Sequence, residues 1–234
     1  MDLSSLPPWD YLMKRMVFDQ LGEISEKNIL DFGSGTGETA CWFARRNDVL
    51  AIEPSEDAIR KRRQDYPYRQ LRGSTEQLKT LPDESFDVIL CHNVLEYARD
   101  RADIMREFAR LLRADGLLSI VRHNRAGRVM QMAVLLNDFD QANALLNGKN
   151  DTSRQYGPIR YYENADIGNW CPELKIEKTL GMRVFWDLQQ KQERHTDPEW
   201  QEKMLALEKR VSDREEYKAA AFFHHLFIRK KQTR

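Results

Sequence analysis

A glycine-rich segment, Asp31-Phe32-Gly33-Ser34-Gly35-Thr36-Gly37, constrains the fold of this chain more than any other feature. A short apolar run over residues 28–33 leads into it, and a helical apolar pattern over residues 38–46 follows it. Glycine lets the chain turn sharply and lets a ligand lie against the backbone. A strand, a glycine loop and a helix in this order predict the ligand crevice of an open α/β sheet.

The chain continues to alternate between strands and helices. Further strands are predicted at residues 48–53, 68–72, 86–92 and 116–121, with helices over residues 56–65 and 100–113. Two closing strands are predicted at residues 175–185 and 222–230, separated by a charged helix over residues 198–214. We therefore predict an α/β fold, with a Rossmann-like, seven-stranded, mostly parallel sheet and helices on both faces.

The alternation lapses after the fifth predicted strand. Residues 125–165 contain an apolar helix and then a polar stretch with glycine and proline. We predict that this helical insertion caps the active site. The chain has 234 residues, enough for one substantial core, so we expect a single domain over residues 1–234.

Composition narrows the class of protein. The chain has 37 basic and 37 acidic residues and is 41% hydrophobic, which excludes a disordered chain and gives no bulk charge for binding nucleic acid.

Residues 1–8 contain neither a basic leader nor an apolar core, and no later apolar run is long enough to cross a bilayer. The three cysteines are scattered, so we expect a cytoplasmic protein with reduced thiols and no metal site. These cysteines are Cys41, Cys91 and Cys171.

The spacing of the glycine loop selects the kind of ligand. A dinucleotide fingerprint needs its third glycine one residue later, and Glu38 at the helix start would repel a pyrophosphate. No Gly-Lys-Ser/Thr follows, which excludes a P-loop. Glu53 ends the second predicted strand, 22 residues after Asp31, where a carboxylate can accept hydrogen bonds from ribose hydroxyls. An adenosine-type cofactor without phosphates fits these features.

At this point the sequence resembles the class I S-adenosylmethionine-dependent methyltransferases. The segment ILDFGSGTGETA is similar to their motif I, AIEPS to motif II, and LPDESFDVILCHNVLEY to the region around strand four. The resemblance covers roughly residues 28–121. It implies S-adenosyl-L-methionine as cofactor and methyl transfer as the activity.

The resemblance also implies which residues meet the cofactor. Asp31, Gly33 and Gly35 would lie against its methionine part, Glu53 would hold the ribose, and His92 would lie near the donor methyl group. The complete predicted cofactor-binding set is Asp31, Gly33, Ser34, Gly35, Glu53, Pro54, Thr75, Glu76 and His92. For His92, an ordinary hydrogen-bonded histidine at a strand end is an equal alternative. Cys91 fits a core residue better than a nucleophile.

The substrate is less constrained. His92-Asn93-Val94-Leu95-Glu96 differs from the Asn/Asp-Pro-Pro-Tyr/Phe loop of enzymes that methylate amide or exocyclic amino nitrogens. Residues 121–160 hold six Lys or Arg and three Asp, a local excess of three positive charges. Arg122 or Arg125 can face a bound anion there, and a solvated helix face is the alternative. We predict His92 and Arg122 as catalytic residues.

A closer resemblance extends beyond the cofactor half. HNVLEY, RHNRAGRVMQMAVLLNDFDQA, GMRVFWD and FFHHLFIRK are similar to segments of the bacterial tRNA 5-carboxymethoxyuridine methyltransferases, the SmtA-like group. It implies methyl esterification of a carboxylate on a modified wobble uridine of tRNA, oriented by the arginines near residues 122–128 with Arg183. In this family an arginine of the amino-terminal helix reaches the cofactor. The ungapped match is Met13, with Lys14 and Arg15 adjacent, so the basic residue that meets the donor carboxylate stays open.

Two alternatives remain open beside tRNA. The first is a methyltransferase that acts on a small carboxylated or hydroxylated metabolite. The second belongs to another class: a non-catalytic module that binds adenosine compounds or scaffolds a partner. The sequence does not distinguish the oligomeric states.

Overall fold

A seven-stranded sheet forms the centre of the protein. The computed structural model describes residues 3–153 and 156–231. The strands of this sheet are β1 (Asn28–Phe32), β2 (Asp48–Glu53), β3 (Arg69–Arg72), β4 (Phe86–His92), β5 (Leu112–His123), β8 (Leu174–Met182) and β9 (Phe223–Lys230). The sheet order is β3-β2-β1-β4-β5-β9-β8; β1 to β5 are parallel, and β9 is antiparallel to both of its neighbours.

Helices surround this sheet. The α-helices are α1 (Pro8–Leu21), α2 (Glu38–Phe43), α3 (Glu56–Arg60), α4 (Thr75–Leu78), α5 (Arg101–Leu111), α6 (Arg125–Met130), α7 (Phe139–Leu146), α8 (Asn164–Trp170), α9 (Pro198–Val211) and α10 (Glu215–Lys218). Other elements are a π-helix (Gln131–Leu136), two 3-10 turns (Trp186–Leu188 and Gln192–Thr196), and a hairpin of β6 (Asp151–Ser153) and β7 (Gly157–Ile159). Within the described ranges, no helix combines the length and the apolar character needed to cross a bilayer.

The predicted α/β fold is confirmed, including the mostly parallel seven-stranded sheet and the helical segment after strand five. The bounds of β2 and β4 agree with the prediction. The other predicted bounds differ by one residue or more, and the largest differences lie at β5 and α3. The chain leaves α5 after Leu111 and pairs at once, so β5 begins four residues before Gly116, and α3 ends at Arg60 instead of continuing to Asp65.

The sheet buries apolar side chains on both faces, because successive strand residues point to opposite sides. On one face Ile29 and Leu90 pack with Met16 of α1 and with residues of α2 and α9. On the other face Leu30 packs with Phe108 of α5 and with residues of α4 and α8. The carboxyl ends of β1, β2 and β4 therefore meet at one edge of a rigid platform, where the glycine loop lies.

The segment between β5 and β8 contains α6, the π-helix, α7, the β6–β7 hairpin and α8. Its beginning is tightly fixed: a Cβ on Gly127 would lie 2.3 Å from the carbonyl oxygen of Ala221. The Tyr156 ring, directly before β7, lies against Tyr97, which follows β4, with ring centroids 5.4 Å apart. This contact places Tyr156 beside the carboxyl edge of the sheet.

A strap over residues 183–188 follows β8 and is held by a buried carboxylate of α9. Glu208 has no exposed surface, and its two oxygens accept hydrogen bonds from the backbone N–H groups of Val184 (2.7 Å), Phe185 (2.9 Å) and Trp186 (3.0 Å). Arg183, at the start of the strap, has a φ of 60°, a conformation unusual for a side chain other than glycine. Glu208 therefore fixes the backbone that carries Arg183.

We predict that Glu208→Ala lowers the free energy of unfolding by about 2–4 kcal/mol, because three buried N–H donors lose a charged acceptor. Glu199→Ala in the same helix is the control. Glu199 is exposed and paired with Lys203, so its loss should cost less than about 1 kcal/mol. Urea unfolding of both variants measures the difference, and equal losses would contradict the role given to Glu208.

Candidate active site

The glycine loop turns through three left-handed residues, Gly33 (φ 75°), Gly35 (φ 56°) and Gly37 (φ 77°). A Cβ on Gly33 would lie 2.3 Å from a methyl carbon of Val94, so this glycine allows the loop to pack against the segment after β4. A Cβ on Gly35 would meet no atom within 4 Å. The loop backbone is therefore open at residue 35, where a ligand can approach it.

Glu53 at the end of β2 meets this loop directly. One carboxylate oxygen accepts a hydrogen bond from Gly35 N at 2.8 Å, and the other accepts from Ser55 N at 2.9 Å. A carboxylate oxygen can accept more than one hydrogen bond, so both retain capacity for ribose hydroxyls. Pro54, predicted as a further cofactor contact, is exposed beside it.

Three buried polar atoms at the ends of β1 and β4 lack a hydrogen-bond partner within the described residues: Asp31 Oδ2, Ser34 Oγ and Asn93 Oδ1. Buried polar atoms without partners are rare, and their clustering indicates a missing ligand or water. Burial raises the pKa of Asp31 to about 7, an effect that the nearby Lys14 opposes. A cationic group bound here would stabilise the Asp31 carboxylate.

The structure distinguishes the three adjacent candidates on α1. Lys14 Nζ donates a hydrogen bond to Thr39 Oγ1 of α2 at 2.7 Å, directly beside the glycine loop. Arg15 turns the other way and pairs with Glu202 of α9 at 2.9 Å. Met13 is buried. Lys14 is thus the basic residue of this group that α1 brings to the loop, where it can meet a carboxylate.

The predicted adenine side lies after β3. Gly73 N donates to the carbonyl oxygen of Glu53 at 3.1 Å, which brings this turn to the end of β2. Thr75 is buried at the start of α4, whereas Glu76 is exposed. The Glu76 carboxylate accepts a hydrogen bond from Ser74 N at 2.7 Å and so closes the turn. The contact of Thr75 and Glu76 with the adenine of the cofactor stays a prediction.

The two predicted catalytic residues have different surroundings. His92 is half-buried at the end of β4, with Nε2 2.8 Å from Ser119 Oγ. Arg122 is 1% exposed and donates to the carbonyl oxygen of Tyr162 (2.8 Å) and to Asn164 Oδ1 (3.1 Å). Arg122 therefore fastens the end of the insertion to the sheet. Its contact with a substrate anion stays a prediction.

The other basic residues of the insertion also hold its backbone. Arg125 donates to the carbonyl oxygen of Lys149 at 2.7 Å and lies over the Tyr161 ring, and Arg160 donates to the carbonyl oxygen of Tyr97 at 3.2 Å. Arg154 lies outside the described residues. The local positive excess thus serves in large part to fold the insertion over the sheet edge.

Sequence reasoning missed three residues near the crevice, Asp10, Tyr97 and Tyr156, and left open whether Lys14 or Arg15 faces it. Burial, followed by the charges of Glu53 and Asp10, raises the pKa of Tyr156. Asp10 precedes Lys14 by one helical turn, and its pKa is raised by burial against the opposing effect of Lys14. No periodic pattern marks these residues, since they meet only through tertiary packing.

Fold and site together define an α/β protein that binds a nucleoside-type cofactor at the carboxyl edge of its sheet. Residues 30–120 match the family model described as "Methyltransferase domain". A solved structure, an S-adenosylmethionine-dependent methyltransferase from Mesorhizobium loti, covers 98% of this chain with a TM-score of 0.56 at 17% identity, and 100% of its own chain is covered. The family match and this fold support a class I S-adenosylmethionine-dependent methyltransferase.

Two curated relatives point to different substrates. The tRNA 5-carboxymethoxyuridine methyltransferase of Escherichia coli (strain K12) is 27% identical over 220 residues, covering 88% of this chain and 81% of the relative. A ubiquinone biosynthesis O-methyltransferase of Albidiferax ferrireducens is 24% identical over 176 residues, covering 70% of this chain and 66% of the relative. The similarity to the Escherichia coli enzyme covers 88% of this chain and therefore extends well beyond the family match over residues 30–120.

The residues present fit S-adenosyl-L-methionine. Asp31 can pair with its ammonium group, Lys14 can meet its carboxylate, and Glu53 can accept from its ribose. When bound, the cofactor supplies a methyl group on a sulfonium. The absence of phosphates agrees with the acidic Glu38 at the first position of α2, where a pyrophosphate would otherwise bind.

We predict that Glu53→Ala weakens binding of S-adenosylhomocysteine by about 1 to 3 kcal/mol, through lost ribose hydrogen bonds and a released Gly35 N–H. Calorimetric titration measures the affinity. Glu56→Ala is the control, because Glu56 lies on the exposed α3 and pairs with Arg72. An unchanged affinity of the Glu53 variant would show that this carboxylate does not hold the cofactor.

A second prediction follows from the raised pKa of Asp31, about 7. Below this value the free protein carries a protonated Asp31, and an arriving ammonium group must displace that proton. Affinity for S-adenosylhomocysteine should therefore fall as the pH decreases below about 7, by up to about tenfold per pH unit, and level off above it. Calorimetry in buffers of different ionisation enthalpy should show proton release at pH 6. Asp31→Asn should abolish that release, and a slope unchanged in this variant would refute the assignment.

Proposed function

We propose that this methyltransferase esterifies a carboxylate carried by a modified wobble uridine of tRNA. The similarity to the Escherichia coli enzyme carries the proposal, because it covers 88% of the chain whereas the domain match ends at residue 120. The additional segments include the cap and the closing strands. Elements above the carboxyl edge of such a sheet select the substrate.

Two guanidinium groups near His123, those of Arg183 and Arg128, suit an anionic acceptor. Burial and then the charges of Arg183 and Arg128 lower the pKa of His123 to about 3, so both arginines lie close to the end of β5. Arg183 pairs with Asp187 through Nε at 2.7 Å, and Arg128 pairs with Asp151 at 2.6 Å. Within the described residues, Nη1 of Arg183 and Nη2 of Arg128 make no hydrogen bond. These nitrogens can donate to a substrate carboxylate.

A carboxylate acceptor matches the chemistry of the site. Carboxylates are ionised at pH 7, so transfer to one needs positioning and exclusion of water but no general base. Arg183 and Arg128 would orient the anion, and Lys14, Asp31 and Glu53 would hold the donor. Tyr97 and Tyr156 stand beside the same crevice and can limit access of water.

A second candidate is methylation of a small carboxylated or hydroxylated metabolite. The half-buried His92 favours it, because burial and the neighbouring His225 and Lys14 hold the pKa of His92 well below its usual range, leaving a neutral imidazole at the end of β4. A neutral imidazole can accept the proton of a hydroxyl group. The similarity to a ubiquinone biosynthesis O-methyltransferase agrees with a hydroxyl acceptor. A binding module without activity is the third alternative.

The experiment supplies the protein with methyl-labelled S-adenosylmethionine and, separately, bulk tRNA or a small-molecule extract. The expected product is labelled tRNA whose label is released as volatile methanol by mild alkali, since methyl esters hydrolyse under conditions that methyl ethers and methylamines survive. Arg183→Lys is the test variant, because it keeps the charge but loses the forked donor geometry, and it should raise the KM for tRNA. Its matched control, Arg194→Lys, changes an exposed arginine.

Each outcome has a distinct meaning. Label in the small-molecule fraction would replace tRNA with a metabolite. Alkali-stable label in tRNA would overturn the ester. If neither fraction is labelled while binding of S-adenosylhomocysteine is intact, the result would favour the binding module without activity.

A further inference from the structure

A chain of four polar side chains runs from the crevice into the core. His92 Nε2 lies 2.8 Å from Ser119 Oγ, which lies 2.7 Å from His225 Nε2. His225 Nδ1 in turn lies 2.8 Å from Gln20 Oε1, and Gln20 Nε2 donates to the carbonyl oxygen of Gly181 at 3.3 Å. The chain links β4, β5, β9 and α1, and its end on β8 is a backbone group.

This backbone end fixes the direction of every hydrogen bond. The carbonyl oxygen of Gly181 can only accept, so the amide nitrogen of Gln20 faces it and the amide oxygen faces His225. Nδ1 of His225 must then donate, and Nε2 of the neutral ring accepts from the Ser119 hydroxyl. Because the Ser119 hydroxyl donates its proton to His225, its oxygen accepts a hydrogen bond from Nε2–H of His92. Nδ1 of His92 is left with a lone pair.

Burial keeps both rings neutral, so protonation does not disturb this order. Ser119 and His225 have no exposed surface. Burial lowers the pKa of His225 to about 3, and burial together with His225 and Lys14 holds the pKa of His92 well below its ordinary value. At pH 7 each ring carries one proton, and the position of that proton is set by its hydrogen-bond partner.

Nδ1 of His92 makes no hydrogen bond within the part of the chain that the structure describes. The two nitrogens of an imidazole point in roughly opposite directions, so a ring whose Nε2 faces Ser119 inside the sheet turns Nδ1 away from it. His92 is the last residue of β4, and Lys14 beside the glycine loop is close enough to influence its pKa. Nδ1 of His92 therefore faces the crevice and not the core.

We propose that Gln20, His225 and Ser119 are positioning residues that hold His92 in its Nε2–H form, so that the crevice receives a neutral hydrogen-bond acceptor at Nδ1. The partner of this atom is an O–H or N–H group of the methyl acceptor. The role toward the acceptor rests on the proposed function, whereas the tautomer itself does not. A substrate carboxylate has no place at Nδ1, where two lone pairs would repel, and lies instead toward Arg183 and Arg128.

The experiment compares Gln20→Leu with Gln20→Glu, using the full chain with ¹⁵N-labelled histidine. Leucine removes the acceptor that orients His225, which can then donate from Nε2 to Ser119 and reverse the chain. Glutamate keeps an acceptor at the same place and is the conservative rescue. His195→Phe is a further control, because His195 is another buried histidine, stacked on Trp186 and outside the chain.

We expect ¹⁵N shifts of wild-type His92 to show the Nε2–H form, unchanged in Gln20→Glu and in His195→Phe. In Gln20→Leu a population of the Nδ1–H form should appear, although residue 20 is distant in sequence and does not contact His92. Turnover should fall roughly three- to tenfold in this variant, while affinity for S-adenosylhomocysteine stays the same. A structural defect alone would lower both.

Two results would overturn the proposal: wild-type His92 in the Nδ1–H form, or identical His92 shifts in wild type and Gln20→Leu. If Gln20→Leu does not fold, Ser119→Ala provides the second variant. It removes the hydroxyl group that links the two rings, so substitutions on the His225 side of the chain should no longer change the ¹⁵N shifts of His92. Failure of tRNA methylation with the expected tautomers intact would reject the acceptor class and leave the positioning chain standing.

Discussion

The contact between the Glu53 carboxylate and the Gly35 N–H, 2.8 Å long, holds the site together. It joins the end of β2 to the loop after β1 at Gly35, where an added Cβ would meet no atom within 4 Å. Gly33 N and Ser34 N also donate to the carbonyl oxygen of Ile52, at 2.8 and 3.1 Å, so β2 holds the loop on both sides of this open position. The open backbone, the acid beside it and the unpaired Asp31 oxygen then form one surface suited to a nucleoside with a cationic tail.

Charge is distributed unevenly around this surface. Arg125 and Arg128, in the segment between β5 and β8, bind a carbonyl group and an aspartate, and so stabilise this segment. Lys14 and Arg183 keep unused donors near the crevice and come from segments far apart in the sequence. Lys14 lies beside the glycine loop and Arg183 near the end of β5, so the proposed donor site and the proposed acceptor site are separate.

The sequence was informative wherever one local constraint decided the structure. Buried strands with both faces covered gave the bounds of β2 and β4, and the glycine loop with Glu53 indicated a crevice for a phosphate-free nucleoside. It did not distinguish Lys14 from Arg15, since that depends on which side of α1 packs against α2 and which against α9. Tyr156 and the chain from Gln20 to His92 were also invisible, because their members meet only after β9 inserts beside β5.

A comparative titration of the purified chain with S-adenosylhomocysteine, ATP and NAD tests directly whether the crevice takes a nucleoside without phosphates. One S-adenosylhomocysteine should bind per chain, and both phosphate-containing nucleotides should bind much more weakly, because Glu38 opposes phosphates at the start of α2. Absence of S-adenosylhomocysteine binding, or tighter binding of ATP or NAD, would contradict this assignment of the crevice.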